Sequence, residues 1–106
     1  MSLWQHPRWM AGLCAAAVLV VIAGAVLGIS TTEWCICFLL FGLIMSLELV
    51  NTAVEAVVDL VTEEKKPLAK LAKDTAAGAV LIAAIMAAVT GVIIFLPKLL
   101  AFAGLL

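Results

Sequence analysis

Three long stretches of this chain carry no charge: Trp9 to Thr32, Trp34 to Leu47, and Thr75 to Pro97. A helix across a bilayer needs about 20 predominantly apolar residues, so runs of this kind leave little besides membrane-spanning helices. Of the 106 residues, 67% are hydrophobic and the mean hydropathy is +1.32, where a soluble domain is roughly half apolar. The sequence therefore predicts a single membrane domain over 1–106, all-α, with spans at about 9–27, 34–61 and 75–96 and a charged loop at 62–74.

Met1 to Arg8 is a short polar lead in which His6 is a polar flank. The run after it is too long for the apolar core of a secretion signal, and no soluble domain follows. Its Ala and Gly content suits close helix packing. Gly28 to Trp34 reads as a turn, with Thr31 or Thr32 capping the next helix, Glu33 in its first turn and Trp34 as an interfacial anchor. The second helix extends to Val61 or Thr62. Pro67 can open a new turn, and Leu68 to Asp74 begins the third helix or forms a separate surface helix. The third span ends at Pro97, leaving Leu99 to Leu106 as an apolar tail, interfacial or partly disordered. Cys14, Cys35 and Cys37 lack a neighbouring His or fourth Cys and read as packed or lipid-facing thiols.

Orientation follows from the basic residues. Lys65, Lys66, Lys70 and Lys73 follow the second span, whereas the turn between the first two spans has no Lys or Arg. The loop is expected in the cytoplasm. Three spans then put the N-terminus inside, with Arg8, and the C-terminus outside, with Lys98.

Within the apolar second span lies a polar series. Glu48, Asn51, Glu55 and Asp59 are spaced i, i+3, i+7 and i+11. At about 100° per residue they share an arc of roughly 80° on a helix, with Thr52 at its edge. Ionisable residues at membrane depth cost at least a few kcal/mol on insertion scales. Parts of the pattern have plain explanations: Asp59, Glu63, Glu64 and the lysines suit a solvated interfacial loop, and Asn51 and Glu55 suit hydrogen bonding between helices. Together they suit more. Carboxylates are hard oxygen ligands for Mg²⁺, clustered lysines suit phosphate oxygens, and a deeper carboxylate can take a proton from a lipid hydroxyl. These are the parts of a phosphoryl-transfer site, without the glycine-rich loops of P-loop enzymes or protein kinases. From the residues alone, a metal-dependent and a proton-coupled membrane protein both stay open.

The segment Glu48-Leu-Val-Asn51-Thr-Ala-Val-Glu55-Ala-Val-Val-Asp59, followed by Pro67-Leu-Ala-Lys70-Leu-Ala-Lys73-Asp74-Thr-Ala-Ala-Gly78, resembles the prokaryotic diacylglycerol kinase family, which includes undecaprenol kinases. The resemblance covers roughly Ile29 to Leu100, and the run Ala76 to Leu81 is closer to the undecaprenol type. It implies a homotrimeric enzyme of the bacterial inner membrane with composite sites between subunits. That enzyme phosphorylates a lipid alcohol from ATP and Mg²⁺, undecaprenol ahead of diacylglycerol, and nucleic acid is not a partner. By position, the resemblance makes Glu48 the general base at the lipid and Glu55 a ligand for Mg²⁺ and nucleotide, with Asn51 and Asp59 in support. Glu64, Lys65 and Lys66 match a nucleotide-contacting loop, and Lys73 and Asp74 match the pair at the ATP phosphates. Ala77 stands where the enteric type has a Ser beside the lipid hydroxyl. Members of the family also carry a second metal-ligand Glu ahead of the first span. Counted back from Glu33-Trp34 it falls near Pro7, where this sequence has no acid. A non-catalytic relative of the kinases therefore stays in view. So does a small cation-coupled transporter, although the first span lacks the carboxylate that such a transporter would use.

Overall fold

The structure, a computed structural model, describes Arg8 to Leu105, with side chains from Trp9 onward. His6, the Arg8 side chain, the N-terminus and the position near Pro7 lie outside the described residues. Among the described residues three helices follow one another: α1 (Arg8–Leu27), α2 (Thr31–Val61) and α3 (Pro67–Phe102). At about 1.5 Å per residue, the 31 residues of α2 and the 36 of α3 both exceed the ~30 Å of a hydrocarbon core. The molecule is 57 Å long. α2 packs mainly against α3, and α1 lies more lightly against both.

The turn between α1 and α2 is tighter than the sequence suggests. Gly28 adopts φ 68°, a left-handed conformation that glycine accepts without a Cβ clash. The amides of Gly28 and Ile29 both turn back to the Gly24 carbonyl, at 2.9 and 3.2 Å. The cap of α2 is Ser30, not Thr31 or Thr32. The Ser30 Oγ accepts from the Glu33 amide at 3.2 Å, and the Glu33 carboxylate accepts from the Ser30 amide at 2.9 Å. This is a reciprocal capping box, with Glu at the third helical position satisfying a second free amide.

α3 corrects two further expectations. Leu68 to Asp74 is the first part of one continuous helix, and Pro97 does not end it: the helix continues to Phe102. Proline removes one amide from the ladder, yet membrane helices tolerate this where neighbouring groups and local adjustment compensate. Just beyond Pro97, the Lys98 ammonium reaches the Glu33 carboxylate at 3.4 Å, fixing the end of α3 to the start of α2. The helix stops at Gly104 (φ 78°). There the Leu105 amide returns to the Leu100 carbonyl (2.8 Å) and the Gly104 amide to Ala101 (3.1 Å), the paired bonds of a Schellman motif. The apolar tail from Leu99 is thus largely helical.

The interior is slight. Among the described residues, Ile29, Ala83 and Ile94 are the buried hydrophobic ones, while leucines and isoleucines such as Leu39, Leu60, Ile82 and Ile93 are more than 60% exposed. Surfaces this apolar exceed what water-soluble monomers present. Three apolar helices of membrane-spanning length account for it: this is an integral membrane fold, and its outer faces are solvated by lipid or by protein.

Candidate active site

The polar series on α2 forms one face, and its members differ in exposure. Glu48 is half-buried, Asn51 half-buried, and Glu55 and Asp59 exposed. Asn51 donates from Nδ2 to Glu55 Oε1 at 3.1 Å, one turn along the helix. Its own Oδ1 is buried without a partner. The Thr52 hydroxyl donates to the Glu48 carbonyl at 3.0 Å, so its hydrogen is spent inside the helix. Among the described residues the Glu48 carboxylate enters no hydrogen bond or ion pair, and its oxygens are free to accept. The α-helical rise puts Glu48 about 10 Å from Glu55 along the axis, with Glu48 farther from the charged end.

At that end α2 gives way to a short connection. Thr62 caps α2, and its Oγ1 accepts from the Glu64 amide at 3.1 Å. Pro67 then sits in the first turn of α3, where its missing amide costs no helical bond. The connection and the two helix ends enclose a cleft of about 640 Å³, lined by Asp59, Glu63, Glu64, Lys65, Lys66, Lys70, Lys73 and Asp74 among others. Lys73 extends from α3 to Asp59 Oδ1 on α2 at 2.6 Å. Lys70 donates to Asp74 Oδ2, also at 2.6 Å and one turn along α3. The Lys66 to Glu64 contact is looser, at 3.9 Å. Lys70 stands outside the apolar span, and the hydrogen bond and charge of Asp74 raise its ammonium above the ordinary lysine range.

The cleft thus brings together Asp59, Glu64, Lys65, Lys66, Lys73 and Asp74. Asn51 and Glu55 lie on the α2 face that leads away from it toward Glu48. Lys73 and Asp74, adjacent in sequence, do not pair with each other. Ala77, one turn beyond Lys73, is exposed, and its methyl offers a lipid hydroxyl no hydrogen bond. Sequence reasoning passed over Glu63 and Lys70 as site residues. Lys70 had a signal, because a carboxylate four residues later on a helix is its natural partner.

The family model described as prokaryotic diacylglycerol kinase matches residues 1–95. The chain belongs to that family. Undecaprenol kinase of Bacillus subtilis is 54% identical to it over 85 residues, which are 80% of this chain and 69% of that protein. Diacylglycerol kinase of a Synechocystis strain is 48% identical over 84 residues, 78% of this chain and 48% of that protein. The chain therefore matches about half the length of the second relative.

Kinases of this family imply ATP and a divalent metal, and the donor set bears on how a metal would be held. Among the described residues no group of three or more His, Cys, Asp or Glu could form a protein cage. Mg²⁺ does not require one, since one or two carboxylates together with substrate phosphates are its common ligands. Glu55 has one oxygen on Asn51 Nδ2 and the other without a partner among the described residues, whereas the Asn51 Oδ1 is buried. The free Glu55 oxygen fits a metal that arrives with the nucleotide and takes its other ligands from phosphates and water.

Proposed function

We propose that this chain transfers the γ-phosphoryl group of ATP to the hydroxyl of a membrane lipid alcohol, undecaprenol in first place. The observation that carries the reading is the free, half-buried carboxylate of Glu48 on the same helix face as Glu55, below a lysine-lined cleft. The lipid approaches through the apolar surround with its hydroxyl at Glu48. Its oxygen attacks the γ-phosphorus, the bond from that phosphorus to the ADP oxygen breaks, and the hydroxyl proton passes to Glu48. Lys73 lies close to the phosphates and offsets their charge, with Lys65 and Lys66 along the triphosphate, and Asp74 keeps Lys70 in place beside them. Mg²⁺, held by Glu55 with Asn51 beside it, would neutralise charge on the β- and γ-phosphates when bound. Asp59 supports Lys73.

The cleft faces the cytoplasm in this reading, because the four lysines of the 62–74 region are retained on that side. The inner membrane of a bacterium is then the location, and ATP enters from the cytoplasm. The functional unit is a homotrimer with sites shared between subunits, as the sequence resemblance implies. Diacylglycerol is the second substrate, supported by the name of the Synechocystis relative.

Purified chain in mixed micelles, given labelled ATP, Mg²⁺ and either alcohol, tests this. Labelled lipid phosphate should form, faster from undecaprenol. Glu48→Gln should lower turnover by at least a hundredfold, in the range of general-base removal, and leave nucleotide affinity within about twofold. Folded protein that phosphorylates neither alcohol points to a non-catalytic relative or a transporter. Near-normal turnover of the Gln variant removes Glu48 as base.

A further inference from the structure

The cleft carries four lysines, and three of them are already neutralised by carboxylates of the same chain. The three pairs are not alike. Lys66 with Glu64 is local and long, and Lys70 with Asp74 lies within one helix. Lys73 with Asp59 spans fourteen residues and joins α3 to α2 at 2.6 Å. Lys65 has no carboxylate within ion-pair distance among the described residues. Both members of the Asp59–Lys73 pair line the cleft, and their side chains are 62% and 40% exposed. The bond is therefore short but open to water and to incoming anions.

An aspartate oxygen and a phosphate oxygen make the same charge-assisted acceptor for an ammonium. We propose that Asp59 is a positioning residue that holds the Lys73 ammonium in the nucleotide-free protein, and that a polyphosphate displaces it. The inference rests on the cleft being the nucleotide site. In the free protein, Asp59 keeps Lys73 drawn across to the stripe on α2, where the phosphates will lie. On binding, a phosphate oxygen takes the place of Asp59 Oδ1. The displaced carboxylate then stands beside further negative charge, so the exchange lowers affinity. Asp59 acts against binding while keeping its partner in place. Only an anion with enough other contacts in the cleft, such as a triphosphate also engaging Lys65 and Lys66, overcomes that opposition.

The test is equilibrium binding of a non-hydrolysable ATP analogue, with Mg²⁺, to the full chain in detergent micelles. Asp59→Asn should bind it about two- to fivefold more tightly, the range set by an exposed ion pair. Asp59→Glu should return affinity to the wild-type value. Removing any nearby negative charge helps an anion somewhat, so Glu63→Gln, in the same cleft, measures that general effect. In a Lys73→Met background the gain from Asp59→Asn should shrink to the Glu63→Gln level. Unchanged or weaker binding by Asp59→Asn overturns the proposal, and so does a gain that persists in full without Lys73. Wild-type protein that fails to bind the analogue overturns the nucleotide reading itself, an outcome distinct from the others.

Discussion

Gly24 shows how little room one residue can leave. A methyl at its Cβ would lie 2.8 Å from the Trp34 ring and 2.9 Å from Ile29 Cδ1. The indole cannot swing aside freely, because it stacks on Phe38 with centroids 5.9 Å apart. Alanine normally favours a helix over glycine by about 1 kcal/mol, yet overpacking costs about 1–3 kcal/mol, and here the contact is below any ordinary carbon separation. Gly24→Ala should lower the thermal midpoint in detergent, and Trp34→Phe should recover part of the loss. A midpoint equal to or above wild type would mean that α1 and Trp34 are not in contact. The residues of the site obey a different rule. In the proposed function their identities follow from chemistry, and the half-buried Glu48 accepts a cost that an apolar side chain in its place would avoid.

At the scale of the element, α3 departs most from what its sequence suggests. A proline followed by a short apolar tail reads as a stop, yet the ladder resumes after Pro97, and the Ala103 amide still reaches the Leu99 carbonyl at 2.9 Å. The amides of Ala101, Phe102 and Ala103 should therefore exchange slowly with deuterium in micelles. Exchange at the rate of an unstructured peptide would place the end of the helix at Pro97 after all. The stop signal was present farther on, in Gly104, whose role depends on φ rather than on composition. α2 was more legible. Its apolar half and its polar stripe follow from local periodicity, and only the cap moved, because the Ser30–Glu33 pairing outweighs the threonines that follow.

The whole molecule has more apolar surface than it can bury alone. One chain of 11.1 kDa leaves large side chains on all three helices exposed, including Val18, Leu39 and Ile82. Lipid covers such faces as well as protein does, and association in membranes comes instead from packing of small residues and polar contacts between helices. The Ala- and Gly-rich α1, lightly held by its own chain, is suited to that packing. Native mass spectrometry from mild detergent should show a trimer of 11.1 kDa chains. A purely monomeric protein that still phosphorylates lipid would exclude shared sites.

Hydropathy and spacing alone determined that the chain crosses a membrane three times as helices and carries one acidic stripe. Those signals are local: a charge-free run long enough to span, and a repeat near 3.6, hold whatever the helices touch. Motif resemblance to known kinases added the roles proposed for the acids and lysines. The tertiary structure decided the partners. Lys73 meets Asp59 rather than its neighbour Asp74, Lys98 meets Glu33, and Trp34 closes on Gly24, because each contact depends on how two helices lie together after a turn. The chain order cannot encode that geometry in any window of a few residues, since side chains fourteen or sixty-five positions apart compete for partners only once the bundle has formed.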